Sequence, residues 1–180
     1  MCVNTFTDLD LSEQRLGAIE ALGWTVPTPI QAEAIPPGLA GTDVVGIAQT
    51  GTGKTGAFMI PALERLRAGA GLQVLVLCPT RELAQQVADD TVSLAMGTNI
   101  RTAAIFGGVG YGPQIEALES GFEVIVATPG RFIDHAHSKR VDLSNVNYLV
   151  LDEADRMLDM GFRPQIEEAL RGMPKKRQTM

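Results

Sequence analysis

Ala48-Gln49-Thr50-Gly51-Thr52-Gly53-Lys54-Thr55 combines two glycines, three threonines and a lysine in an order suited to holding phosphate. Gly51 and Gly53 can take up backbone angles closed to other residues, which turns successive N–H groups inward as an anion nest. A helix starting at this point would add its positive N-terminal end. Lys54 could then reach the β- and γ-phosphates, and the Thr55 hydroxyl could hold Mg²⁺. Thr50 and Thr52 complete the cradle. The stricter form of the pattern begins with Gly, where this chain has Ala48. The bland alternative is a glycine-rich turn whose Lys and Thr merely begin a helix.

A second group could complete such a site. Asn147-Tyr148-Leu149-Val150-Leu151 is an apolar run that ends in Asp152-Glu153-Ala154-Asp155. At the carboxyl end of a strand, Asp152 could ligate Mg²⁺ opposite Thr55. Glu153 could orient and deprotonate an attacking water. Acidic residues also favour the first turn of a helix, so the quartet alone could be only a solvated helix start. Its meaning comes from being paired with Lys54 and Thr55.

Positioning these groups requires a particular set of elements. Short β-rich runs alternate with helical patterns, which predicts a mostly parallel sheet covered on both faces. The strand candidates are Val44–Ala48, Val74–Cys78, Arg101–Phe106, Val124–Ala127 and Tyr148–Leu151. Helical patterns span Leu11–Leu22, Pro29–Ala40, Gly56–Ala68, Glu82–Ala95, Pro113–Ser120, Gly130–Ala136 and Pro164–Arg171. Right-handed crossovers would bring the strand ends to one edge. No internal repeat, low-complexity stretch or interdomain linker interrupts the pattern.

The 180 residues suit one domain with a sizeable core, and 45% hydrophobic with 20% charged residues is ordinary for a globular protein. No apolar stretch reaches the length of a membrane span, and the start lacks the pattern of a signal peptide. Two distant cysteines without His or Cys partners at ligand spacing argue against zinc or a disulfide framework. Cys78 reads as a small buried residue. The expected setting is a reducing cytoplasm.

Taken together, the phosphate loop and Asp-Glu-Ala-Asp resemble those of the DEAD-box ATP-dependent RNA helicases. Gly23-Trp24-Thr25-Val26-Pro27-Thr28-Pro29-Ile30-Gln31, with Phe6 upstream, is similar to that family's adenine-reading Q motif. Pro79-Thr80-Arg81-Glu82-Leu83-Ala84, Gly107-Gly108 and Thr128-Pro129-Gly130-Arg131 resemble its RNA-contacting segments. Arg156 to Phe162 continues the pattern after the acidic quartet. The resemblance runs over essentially the whole chain, with the motifs in the family's order. It implies a three-layer α/β/α RecA-like P-loop NTPase domain with a mostly parallel central sheet. Residues 1–180 would form a single N-terminal RecA-like domain, the Q motif lying within 1–31. It further implies ATP and Mg²⁺ as cofactors and RNA as partner. The family's second RecA-like domain would lie outside this chain, leaving little ATPase and no unwinding here.

On this reading Lys54, Asp152 and Glu153 carry the chemistry. Phe6, Trp24, Thr28, Gln31 and the loop from Thr50 to Thr55 bind nucleotide, and Thr80, Arg81, Gly108, Thr128 and Arg131 contact RNA. Gln31 has a structural alternative, because Thr28-Pro29-Ile30-Gln31 also satisfies a helix capping box. Its carboxamide could instead match adenine N6 and N7, a pairing that guanine does not offer. Phe6 could stack on the base or belong to the core, and Thr128 could be a helix cap before Pro129. The net charge of −6 runs against a broad nucleic-acid footprint, so any RNA site must be local. Lys139-Arg140 and Lys175-Lys176-Arg177 read as solvated ends. Two rivals stay open: a DNA-acting helicase of the same superfamily, and a nucleotide-gated adaptor.

Overall fold

In a computed structural model, residues 3–180 are described. Five strands form one sheet in the order β2-β3-β1-β4-β5, and every pairing is parallel. The strands are β1 (Val74–Leu77), β2 (Thr102–Ile105), β3 (Val124–Ala127), β4 (Tyr148–Leu151) and β5 (Gln178–Thr179). In the central strands every residue of Val74-Leu75-Val76-Leu77 and Val124-Ile125-Val126-Ala127 is buried, as a sheet covered on both faces requires. Val74 stands opposite both Val124 and Tyr148, which puts the ends of β1, β3 and β4 level.

The helices are α1 (Glu13–Ala21), α2 (Pro29–Ala40), α3 (Lys54–Arg65), α4 (Arg81–Leu94), α5 (Tyr111–Ser120), α6 (Pro129–His137), α7 (Ala154–Asp159) and α8 (Arg163–Gly172). Side chains alternate across a strand, so the sheet divides the interior in two. Val74, Val76, Val124, Val126 and Val150 meet Ile19, Ile35, Phe58, Met59 and Val87 on one face. Leu75, Leu77, Ile125 and Leu149 meet Phe132, Met157 and Ile166 on the other. The three-layer architecture follows directly. Within the first layer α2 lies close on α3: a Cβ at Gly38 would stand 2.8 Å from the Pro61 ring, so only glycine fits. Tyr148 ties sheet to helix by donating its hydroxyl to the Phe58 carbonyl at 3.0 Å.

One expected strand does not form. Val44–Ala48 is outside the sheet, although the Val44 N–H donates to the Thr179 carbonyl at 3.0 Å. The Thr179 N–H returns a bond to Asp43 Oδ1 at 2.7 Å. The bonding to β5 (Gln178–Thr179) stops at residues 43 and 44, and no ladder continues along residues 45–48. Val45 and Ile47 are consequently 95% and 96% exposed. High β-propensity alone does not make a strand without a ladder to join.

α1 is tethered by a buried charge. Arg15 donates to the Leu94 carbonyl at the end of α4, and its Nε lies 3.4 Å from Glu64 Oε1 on α3. Ser12 caps α1 through its side chain and donates its hydroxyl to the same Glu64 oxygen at 2.9 Å.

Glu123, at the entrance of β3, is fully buried and likewise ties separate segments together. It accepts from the Arg101 and Gly69 N–H groups at 2.8 and 2.9 Å and pairs with the Arg101 guanidinium at 3.1 Å. Burial alone would raise its carboxyl, but the Arg101 and backbone donors outweigh that and hold it below the ordinary glutamate range. A carboxyl depressed on folding contributes stability that is present above its unfolded pKa and lost as pH falls through the folded one. We expect acid unfolding of the wild type to show this loss below about pH 4.3. Glu123→Gln should lower the melting temperature at neutral pH while flattening the acid limb. A mutant curve parallel to wild type across the acid range would refute the assignment.

Candidate functional site

The phosphate loop is built as its residue types demand. Gly51 and Gly53 have φ of +81° and +87°, a region open to glycine. Gly53 stands at the N-cap of α3, so the positive end of that helix faces the loop and Lys54 opens its first turn. A Cβ at Gly53 would lie 2.7 Å from Gln31 Nε2, whereas one at Gly51 would meet nothing within 4 Å. The loop is therefore packed on its inner side and open on its outer side. The Thr52 hydroxyl donates to the Gln49 carbonyl at 2.6 Å and steadies the turn.

A cavity of about 1050 Å³ is bordered by the 43–50 segment, Thr50, Lys54 and the residues from Val150 to Arg156. Lys54, Asp152 and Glu153 thus face one space, although they lie about a hundred positions apart. β4 delivers Asp152, whose N–H donates to the Leu77 carbonyl at 3.0 Å. Burial raises the Asp152 carboxyl; the Lys54 ammonium opposes this, and Glu153 adds to it. Glu153 itself has φ +53° and ψ +48°, a left-handed backbone that costs a side-chain-bearing residue about 1–2 kcal/mol. Its carboxylate accepts from Arg156 at 3.1 Å. Such strain clusters at functional sites, and no sequence pattern announced it. The turn lifts Glu153 to start α7.

Thr55, in the first turn of α3, also faces α4. Within the described residues no hydrogen bond joins it to Asp152. Burial raises the Asp90 carboxyl on α4, and the Thr55 hydroxyl works against that rise.

The loop's other flank holds the candidate adenine residues. Gln31 is buried; its Oε1 accepts from the Thr28 N–H at 3.0 Å, and its Nε2 donates to the Gly53 carbonyl at 3.1 Å. The capping role and a direct grip on the phosphate loop coexist in one side chain. One N–H and one lone pair of the carboxamide stay open. The Thr28 hydroxyl is buried without a hydrogen-bond partner. Trp24 packs toward Gly56 at the start of α3. Phe6 is buried in the first core with its ring 6.3 Å from Trp24, stacked at 28°, so a base could lie on it only if that pair parted. None of these four residues borders the large cavity.

Of the candidate RNA residues, Thr80 caps α4, its hydroxyl accepting from the Leu83 N–H at 3.3 Å. Arg81 is 60% exposed, paired with Glu82. Its guanidinium would lie 3.2 Å from a Cβ at Gly108, so Arg81 and the glycine loop are neighbours. Thr128 occupies the cap position of α6, yet its hydroxyl makes no capping bond. Arg131 is turned inward. It donates to the Val109 carbonyl at 3.0 Å and lies under the Tyr111 ring. Cys78 is buried beneath the site, its thiol pushed far up by burial and by Asp152 and Glu153.

The donor set fits a nucleotide with a hard divalent cation: an open glycine cradle, a lysine and a buried carboxylate that face one space.

Comparisons with known proteins agree with this geometry. The family described as DEAD/DEAH box helicase matches residues 28–180. DEAD-box ATP-dependent RNA helicase 30 of Arabidopsis thaliana is 46% identical over 181 residues, covering 97% of this chain and 31% of that protein. DEAD-box ATP-dependent RNA helicase CshA of Bacillus subtilis is 45% identical, covering 98% and 36%. The crystal structure of a DEAD box protein from the hyperthermophile Methanococcus jannaschii superposes with a TM-score of 0.93 at 42% identity, covering 98% of this chain and 48% of that one. The chain spans about a third of the length of these curated relatives.

Proposed function

Because the chain belongs to the DEAD/DEAH box helicase family, we propose that it is the ATP-binding and RNA-contacting half of an ATP-dependent RNA helicase. The observation that carries this is the convergence of Lys54, Asp152 and Glu153 on one cavity beside an open glycine cradle. The Gly51–Gly53 backbone and the α3 N-terminus hold phosphate oxygens, and Lys54 neutralises the β- and γ-phosphates. Thr55 and Asp152 are the residues that would hold Mg²⁺, which neutralises phosphate charge when bound. Glu153 orients the hydrolytic water, its carboxylate steered by Arg156.

RNA is held through its backbone at the face carrying Thr80, Arg81, the Gly108 N–H and Thr128, so little sequence preference follows. Closure against a second RecA-like domain would grip and bend the strand, and hydrolysis would reopen it. Short duplexes part on that closure. No helix among the described residues is long and apolar enough to cross a membrane.

Adenine is selected by Gln31, whose open N–H and lone pair match N7 and N6. Calorimetric titration with ADP and GDP in the presence of Mg²⁺ tests this. ADP should bind clearly more tightly than GDP, and Gln31→Ala should erase the difference. Equal binding of ADP and GDP by the wild type would reduce Gln31 to its capping and loop contacts. Absence of any nucleotide binding would overturn the reading as a whole.

A further inference from the structure

The loop between β2 and α5 carries Gly107, Gly108 and Val109, and one residue of α6 holds it. Arg131 donates to the Val109 carbonyl at 3.0 Å. The carbon of its guanidinium lies 3.9 Å from the centre of the Tyr111 ring. Its Nε is 3.9 Å from Asp134 Oδ2, and the Tyr111 hydroxyl donates to that same oxygen at 2.8 Å. The ring also meets the edge of buried His135, at 5.4 Å and 60°. His135 reaches Gln114 at 3.3 Å, and Gln114 donates to the Phe106 carbonyl at 2.9 Å, just before the glycines. Both ends of the loop are therefore tied to one cluster.

The consequence for Arg131 is that its charge is already used. The side chain is 11% exposed, against 60% for Arg81. Gly108 has φ +83°, and no side chain of its own restrains it. A glycine loop that must present an N–H to phosphate binds better when its freedom has been removed beforehand.

We infer that Tyr111 is a positioning residue: with Asp134 it clamps Arg131, and through Arg131 it fixes the Gly107–Val109 loop beside Arg81 for RNA phosphate. Arg81 is then the phosphate cation, and Arg131 is a brace rather than a contact. A guanidinium held over an aromatic ring and sharing a carboxylate with its hydroxyl has one preferred place, which sets the Val109 carbonyl. This inference rests on the RNA-binding reading proposed above.

Two measurements on the 180-residue chain test it, with Tyr111→Ala, Tyr111→Phe, Arg131→Ala and Arg81→Ala. In amide hydrogen exchange, Tyr111→Ala should speed exchange of residues 107–110 several-fold, with Tyr111→Phe between it and wild type because the ring remains and the bond to Asp134 is lost. Unchanged exchange in Tyr111→Ala overturns the clamp. The second measurement is binding of a labelled 12-nucleotide oligouridylate across a salt series. Arg81→Ala should reduce the slope of log affinity against log salt by about 0.7, the loss of one phosphate contact on a single strand. Tyr111→Ala and Arg131→Ala should weaken binding several-fold with the slope unchanged, and Tyr111→Phe, which keeps the ring, should restore part of it. A slope lost in Arg131→Ala as in Arg81→Ala would make Arg131 a direct contact and overturn the brace. Wild-type chain that fails to bind the oligonucleotide would overturn the RNA reading and the loop's assigned purpose, while the exchange data still decide whether the clamp exists.

Discussion

Lys54→Ala weakens ATP binding by this chain at least about 10²-fold. The lysine is the cation nearest the cradle: it opens α3 and borders the cavity that Asp152 and Glu153 share. Each charge-assisted hydrogen bond to a phosphate oxygen contributes roughly 1.5–3 kcal/mol, and two of them give a hundredfold or more. The substitution has a second effect. Asp152 is raised by burial, and Lys54 opposes that rise. Without the ammonium the carboxyl rises further, so Asp152 is ionised less readily and is a poorer ligand for a divalent cation. The loss should therefore be larger in the presence of Mg²⁺ than in its absence. Titration of a fluorescent ATP analogue under both conditions measures this. Glu153→Gln is the control: it keeps the cradle and the lysine, and its ATP affinity should stay within a few-fold of wild type. Lys54→Ala that bound ATP with wild-type affinity would remove the phosphate loop from the account.

Arg15→Ala costs roughly 3–5 kcal/mol of folding stability, the range for breaking a buried ion pair from one side. Arg15 is 2% exposed, and it binds α4 through the Leu94 carbonyl and α3 through Glu64. Removing it leaves that carbonyl without its donor and Glu64 with only Ser12 for company. For a chain of this size the loss corresponds to a melting temperature lowered by ~6–20 °C. Because α1 leads through Trp24 to Gln31, nucleotide affinity should fall as well. Arg15→Met, which keeps the buried volume without the charge, should recover part of the stability. A melting temperature within 2 °C of wild type for Arg15→Ala would show that the pair contributes nothing net, as exposed pairs often do.

The architecture was legible because each of its signals is local. Val74–Leu77 and Val124–Ala127 are apolar runs too short for helices and bounded by turn residues, and they became the buried centre of the sheet. Thr28-Pro29-Ile30-Gln31 announced a helix start, and α2 begins there. The failure was Val44–Ala48. Its composition is as strand-like as that of β1, but a strand exists only where a partner supplies N–H and C=O groups, and the bonding to β5 stops at residues 43 and 44. The short α7 was missed because it starts from a strained Glu153, whose left-handed backbone no residue type advertises.

By itself the amino-acid order determined the chemistry: a glycine loop ending in Lys54-Thr55, and carboxylates at the end of an apolar run. Residue type and near-neighbour spacing suffice for that, since backbone angles and the helix end are set within a few positions. Which of those groups stay available was decided only by the tertiary structure. Arg81 and Arg131 look equivalent in the chain; folding leaves one exposed and turns the other under Tyr111 to hold Val109. Gln31 reads as cap or ligand, and folding makes it both a cap and a brace on Gly53. The physical reason is the same in each case. A polar side chain spends its hydrogen bonds on whatever packing brings within about 3 Å, and for Arg131 and Gln31 those partners lie some twenty residues away in sequence.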